Sequence, residues 1–199
     1  MIRYILFDLG KVILNFNHYR ISERLTKYSA FPKAKIHRVI FKTPKEIAFE
    51  KGKLSPKVFY SFIKNSLKLK LTYSEFLPLW NDIFWPKPGM AALTAKLGKK
   101  YPLGMLSNTN KLHFDYVKKK YPVISRFDDY YLSYKLGLRK PDSKIYKAVL
   151  KRTGLKPEEI VYFDDIPEYV RAAKKLGINA FVMKTAAECG KIIRKLQNV

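Results

Sequence analysis

Ile2-Arg3-Tyr4-Ile5-Leu6-Phe7-Asp8-Leu9-Gly10 is the stretch that decides the fold. It is apolar or aromatic on both alternating faces and ends in an acid and a glycine. A strand that is hydrophobic on both faces is a buried parallel strand, not the edge of an antiparallel sheet. Four more short apolar runs follow late in the chain: Pro102 to Leu106, Tyr130 to Ser133, Ile160 to Phe163 and Ala180 to Met183. Between them lie segments with helical spacing: Met90 to Leu97, Lys111 to Lys120, Ser143 to Arg152, Glu168 to Leu176 and Ala187 to Leu196. Strands alternating with helices give an α/β fold, a five-stranded parallel sheet with helices on both faces. The expected strand order is 3-2-1-4-5, with the opening strand central.

One region breaks this alternation. From about His18 to Phe84 the apolar residues fall at helical spacing, as in Val58, Phe59, Phe62, Ile63 and Leu67. Pro32, Pro44, Gly52, Pro56 and Pro78 punctuate it, and Leu54-Ser55-Pro56 reads as a helix start with Ser55 as N-cap and Pro56 in the first turn. The reading is a helical insertion of about four helices over 16–85, with Tyr60, Phe62, Phe76, Trp80, Phe84 and Trp85 as its core. The sheet domain then comprises 1–15 and 86–199. Pro86-Lys87-Pro88-Gly89 marks the return.

Composition sets outer bounds. The 199 residues carry 40 Lys+Arg against 16 Asp+Glu, a net charge of +24. That invites a nucleic-acid reading. The excess is spread, however, with 14 basic and 5 acidic residues in 16–85 and 24 and 10 in 86–199, and no nucleic-acid-binding motif accompanies it. Nucleic acid is therefore not expected as the partner. A single cysteine, Cys189, excludes an internal disulfide. No apolar run approaches the length of a membrane span, and the N-terminus reads as a strand rather than a leader, so a cytoplasmic protein, monomer or homodimer, is expected.

In an open α/β sheet, ligands bind beyond the carboxyl ends of the strands, where the strand order reverses. Four polar clusters stand at that edge: Asp8; Ser107, Asn108 and Thr109; Lys140 in Gly137-Leu138-Arg139-Lys140-Pro141-Asp142; and Asp164 with Asp165. Carboxylates brought together there repel unless a cation compensates them. A lysine and a hard divalent ion such as Mg²⁺ resolve the conflict, and the set then suits phosphoryl transfer, which depends on positioning and charge neutralisation.

Phe7-Asp8-Leu9-Gly10-Lys11-Val12, Leu106-Ser107-Asn108-Thr109, Arg139-Lys140-Pro141 and Phe163-Asp164-Asp165 resemble, in order and separation, motifs I to IV of the haloacid dehalogenase superfamily. The helical insertion after the first motif resembles the small cap of that superfamily, and Glu50-Lys51-Gly52-Lys53-Leu54-Ser55 resembles a recurrent cap segment. The nearest branch by motif is that of the α-glucose-1-phosphate phosphatases.

The resemblance implies a Rossmann-like core and a Mg²⁺-dependent phosphatase acting on a small phosphorylated metabolite, with a sugar phosphate the expected case. It implies Asp8 as nucleophile and metal ligand, and the Gly10 carbonyl as a second ligand. Asp164 would reach the metal directly or through water, with Asp165 alongside. Ser107 and Asn108 would hold and orient the phosphoryl group, and Lys140 would neutralise it. Arg20 in the cap matches an arginine of the branch and is a candidate substrate contact.

Two departures stand out. Most phosphatases of the superfamily carry a second aspartate, the general acid and base, where this chain has Gly10. Ile166 and Tyr169 stand where asparagines often follow motif IV. A catalytically weak or inactive binding protein of the same fold is therefore the alternative, with His18 as one candidate for the missing acid.

Overall fold

The computed structural model describes residues 1–197. The opening run forms β1 (Tyr4–Phe7), wholly buried. A two-stranded antiparallel ribbon, β2 (Leu14–Phe16) and β3 (Phe84–Pro86), brackets the insertion, pairing Leu14 with Pro86 and Phe16 with Phe84. The expected division at 15/16 and 85/86 falls in this ribbon, which brings both connections of the insertion to the same place.

Five α-helices lie between the ribbon strands: α1 (Tyr19–Leu25), α2 (Lys33–Ile40), α3 (Pro44–Glu50), α4 (Pro56–Leu67) and α5 (Tyr73–Asn81). That is one more than expected, because the prolines do not all interrupt. Pro44 sits in the first turn of α3, where its missing N–H costs nothing, and Pro78 lies inside α5. Ser55 caps α4 as expected, its hydroxyl accepting the Val58 N–H at 3.3 Å. Tyr60, Phe76, Trp80 and Phe84 are buried in the core of the insertion, whereas Phe62 and Trp85 are only partly covered. Trp80, 1 % exposed, packs against Phe41, Phe59 and Phe76. Truncating such a residue costs about 3–5 kcal/mol.

The remainder alternates: α6 (Met90–Leu97), β4 (Leu103–Ser107), α7 (Lys111–Lys120), β5 (Asp129–Leu132), α8 (Ser133–Leu136), α9 (Ser143–Thr153), β6 (Ile160–Asp164), α10 (Pro167–Lys174), β7 (Asn179–Val182) and α11 (Ala186–Gln197). The parallel sheet runs β5-β4-β1-β6-β7, the expected 3-2-1-4-5 order. β1 serves both layers. Ile5 and Phe7 join the cluster that includes Phe114 of α7 and Ile193 of α11, while Tyr4 and Leu6 pack with Val149 of α9 and Val170 of α10. This is why the first run is apolar on both faces. Cys189 is buried and unpaired, and burial pushes its thiol up to about 12, so it behaves as a small apolar core residue. Among the described residues no helix is long and apolar enough to cross a membrane.

Two contacts fix the insertion on the sheet domain. Asp82, just past α5, accepts hydrogen bonds at Oδ1 from Tyr116 (2.8 Å) and Lys120 (2.9 Å) of α7, and pairs at Oδ2 with Arg24 of α1 (3.3 Å). The hydrogen bonds from Lys120 and Tyr116 pull the Asp82 carboxyl down to about 2. Lys120 is thus part of a clamp between α5 and α7. On the other side, Gly52 has φ +68°, and a Cβ there would run into the Tyr134 carbonyl of α8. The backbone of the Glu50–Ser55 segment approaches the sheet domain too closely for any side chain.

Candidate active site

Register brings the acids together. Phe7 pairs with Met105 on one side and Phe163 on the other, so Asp8 lies level with Asp164 and one residue short of Ser107. The Asp8 N–H donates to the Phe163 carbonyl at 2.9 Å, which fixes where its side chain starts. One carboxylate oxygen each from Asp8, Asp164 and Asp165 lies within 4.8 Å of the others.

Lys140 is the counter-charge. Its ammonium is buried, donating to Asp164 Oδ2 at 2.6 Å, to the Leu106 carbonyl at 3.1 Å and to the Tyr162 hydroxyl at 3.1 Å, and it pairs with Asp8 Oδ1 at 2.8 Å. Burial favours its neutral form, but the charges of Asp8 and Asp164 outweigh that and hold it above the usual lysine range. Burial pushes Asp8 up to about 7; Lys140 opposes the shift, while Asp164 and Asp165 add to it. The site is thus short of positive charge when only Lys140 serves three carboxylates.

Side-chain hydrogen bonds sort these acids. Asp164 is wholly buried and already engaged at both oxygens: Oδ2 by Lys140 and the Tyr162 hydroxyl, Oδ1 by the Ile166 N–H at 2.8 Å. Asp165 is half-buried, and among the described residues it makes no side-chain ion pair. Burial and the neighbouring Asp164 charge raise its carboxyl.

Asn108 is spent on structure. Its side-chain oxygen accepts the Lys140 N–H at 2.8 Å, and its Nδ2 donates to the Lys140 carbonyl at 3.0 Å and the Tyr169 hydroxyl at 3.3 Å. It therefore holds the lysine loop, and its side-chain amide is not free to orient a phosphoryl group. Tyr169, which stands where an asparagine was expected, closes over Lys140, its ring centroid 5.0 Å from the ammonium. Ser133 ties down the second motif by donating to the Thr109 carbonyl at 2.8 Å and accepting the Thr109 N–H at 2.9 Å.

A cleft opens over Gly10, Ser107 and Asn108, roofed by Phe41, Glu46, Glu50 and Trp80 from the helical insertion. A second lobe of the same cleft reaches Asp8, Arg139, Lys140 and Asp165. Arg20 lines neither lobe; it is exposed, with its guanidinium 4.7 Å above the Trp85 ring. His18 does line both lobes, stacked on Phe41 with ring centroids 4.5 Å apart. Burial, helped by His37 and Lys11, pulls it down to about 4, so it is neutral at physiological pH. His113 is also in the wall, but its ring is bonded to Asn110 and the Trp80 carbonyl, each at 3.1 Å, and serves packing.

Gly10 bears on the missing acid. A Cβ there would lie 2.6 Å from Cε1 of Phe16, whose ring is 4.7 Å from His18 and 6.0 Å from Phe84. The volume that a side chain at position 10 would enter is filled by an aromatic ring. Glu46 and Phe16 were not singled out from sequence, and Glu50 was named only as part of a recurrent cap segment, with no role at the site. Helical residues four apart share a face, but nothing in the spacing says which face looks onto the sheet.

The chain is thus a doubly wound α/β protein with a lysine-paired aspartate at the end of its central strand, under a helical roof. The chain matches the model of the haloacid dehalogenase-like hydrolases over residues 2–177 and belongs to that family. It is 27% identical over 201 residues to the D-ribitol-5-phosphate phosphatase of Bacteroides thetaiotaomicron, covering 94% of this chain and 95% of the relative. Among solved structures, a haloacid dehalogenase family enzyme of the same organism, in complex with magnesium and inorganic phosphate, superposes with a TM-score of 0.85. It is 29% identical, covering 93% of this chain and 96% of that one. A predicted hydrolase of the family from Porphyromonas gingivalis matches at TM-score 0.85 and 26% identity, over 100% and 99% of the two chains.

Proposed function

We propose that this enzyme is a Mg²⁺-dependent phosphatase of small phosphorylated polyols or sugars, working through a phosphoryl group carried on Asp8. The observation that carries the reading is the buried Asp8–Lys140–Asp164 arrangement, with pair distances of 2.8 and 2.6 Å, opening onto a cleft that Asp165 and Ser107 also line. The relative of similar length acts on ribitol 5-phosphate by its name, and the similar solved structure holds magnesium with phosphate.

The donor set suits a hard cation. Three carboxylates share one positive charge, and among the described residues no backbone donor occupies the Gly10 carbonyl. Asp8, Asp165 and the Gly10 carbonyl would hold Mg²⁺. Asp164, saturated by its own hydrogen bonds, would act through water. When bound, the ion would neutralise the phosphate and supply the positive charge the site lacks.

The side chains then divide the work. Asp8 attacks phosphorus, and Lys140 keeps its carboxylate ionised and aimed. The Ser107 hydroxyl donates to a phosphoryl oxygen. The Asn108 side chain positions Lys140, which leaves its backbone N–H to orient a phosphoryl oxygen. Phe41, Trp80 and Phe84 offer apolar faces to a carbon chain, while Glu46 offers a polar group among them.

A phosphate-release panel of sugar and polyol phosphates, run with and without Mg²⁺, tests the reading. Wild type releases phosphate only with the ion, and Asp8→Asn abolishes release. A wild type that releases phosphate from no member of the panel overturns it. The filled space beside Gly10 favours one competing reading, a binding protein of this fold. Phosphate binding by calorimetry without any turnover would establish that instead.

A further inference from the structure

The chain lacks a side chain at position 10 to protonate a leaving group, and Phe16 occupies the space. We infer that Glu46, on the helical roof, is the general acid and then the general base of this enzyme, replacing a group on the sheet domain with one from the insertion. The inference rests on the phosphatase reading above and assigns the proton transfers within it.

Geometry selects Glu46 from the groups that share the cleft. It lies in the first turn of α3 and lines both lobes, so it faces Gly10 and Ser107 in one and Asp8 and Lys140 in the other. Glu50, one turn further on, is paired with Arg139 Nε at 2.8 Å and is not free. His18 is stacked on Phe41, with Phe16 tilted against it, and stays neutral, so near pH 7 it lacks the acidic imidazolium proton. Glu46 makes no ion pair among the described residues; one of its oxygens accepts the Lys42 N–H. A leaving oxygen on a phosphoryl group held at Asp8 points away from the sheet, toward this roof.

The charged surroundings suit both duties. Glu50 lies on the same helix, Lys42 just ahead of it, and His18 at the start of α1. Arg139 and Lys140 face it from the loop after α8, with Asp8 and Asp165 at the strand ends. Burial, then the charge of Glu50, push the Glu46 carboxyl up to about 7, against the Lys42 hydrogen bond and Arg139. A proton-transfer group works best with its pKa near the working pH.

The steps balance. An Asp8 oxygen bonds to phosphorus, the P–O ester bond breaks, and the leaving oxygen takes the Glu46 proton, so a neutral alcohol departs. A water then gives its proton to the Glu46 carboxylate as its oxygen bonds to phosphorus. The bond from phosphorus to Asp8 breaks, inorganic phosphate leaves, and the Asp8 carboxylate and Glu46 carboxyl are restored.

The test compares wild type and Glu46→Gln in the full chain with MgCl₂. The substrates are the panel member turned over fastest and acetyl phosphate, whose acetate needs no proton to leave. On the alkyl ester, kcat/KM of the variant falls by about 10²-fold or more, within the range of lost general acid catalysis. With acetyl phosphate the variant still phosphorylates Asp8 but releases phosphate slowly, so the phosphoprotein accumulates and is counted by intact mass spectrometry. In wild type, kcat/KM on the ester falls as pH rises through about 7, because the acid must be protonated; the variant loses that limb. A variant that turns over the ester within about threefold of wild type overturns the assignment, since removing general acid catalysis costs at least 10²-fold. So does one that no longer accepts a phosphoryl group from acetyl phosphate, which would mark Glu46 as structural. In both cases an active wild type leaves the phosphatase reading standing; an inactive wild type overturns the two together.

Discussion

The two walls of the cleft are built differently. The floor is a set of strand ends, where Asp8, Ser107 and Asp164 are held by the sheet ladder and by one buried lysine. The roof is a set of helix faces in which Phe41, Glu46, Glu50 and Trp80 meet through packing, one ion pair to Arg139 and the close approach of Gly52 to Tyr134. A wall built on a sheet fixes atoms rigidly and suits the phosphoryl group. A wall of inserted helices can differ between relatives without disturbing the strands, and suits the choice of leaving group.

The contrast can be broken most severely at the floor. Lys140→Met leaves Asp8 and Asp164 facing each other without compensation. Removing one partner of a buried pair costs about 3–5 kcal/mol, which urea denaturation in EDTA would read as a lowered midpoint. Mg²⁺ should recover part of that loss, and phosphate release should disappear. Retained stability in EDTA would show that the floor does not depend on its lysine.

The boundary between the walls is a smaller test. Gly10→Asp pushes a side chain into the Phe16 ring, and overpacking of this kind costs about 1–3 kcal/mol. In a double-mutant cycle Phe16→Ala removes that penalty, so the two changes are not additive. Additive losses would mean that the ring is not what excludes a side chain from position 10.

The smallest effect is electrostatic and confined to the roof. Glu50→Gln removes the second cause holding Glu46 high and frees Arg139, which already lowers it. The basic limb of kcat/KM, which falls as Glu46 loses its proton, therefore moves to lower pH. The check is a pH profile on the ester, and an unmoved limb would separate Glu46 from Glu50.

Legibility follows the same division. The five strands and their order were readable because a parallel strand is buried on both faces and its sequence has little freedom. The floor residues were readable because each cluster is contiguous and sits where a strand stops. The roof was not. Glu46 and Glu50 are unremarkable acids on a basic helical segment, Pro44 and Pro78 obscured a helix count, and Arg20, a candidate substrate contact, lies outside the cleft against Trp85. Asn108 was found, but the structural task of its side chain was not, since hydrogen bonds to residues 32 and 61 positions away set it.

The sequence by itself determined the family, the sheet and the acids at its edge, because both-face apolar runs and strand-end motifs are local properties. The net charge of +24 carried little of this; five of the 16 acids, Asp8, Glu46, Glu50, Asp164 and Asp165, carry more. Only the tertiary structure decided which helix face meets the sheet, that Phe16 fills the space beside Gly10, and that Arg139 pairs with Glu50 and not with Glu46. Those outcomes depend on packing between segments distant in the chain, where a side chain's neighbours, and so its pKa and its role, are set by three-dimensional proximity.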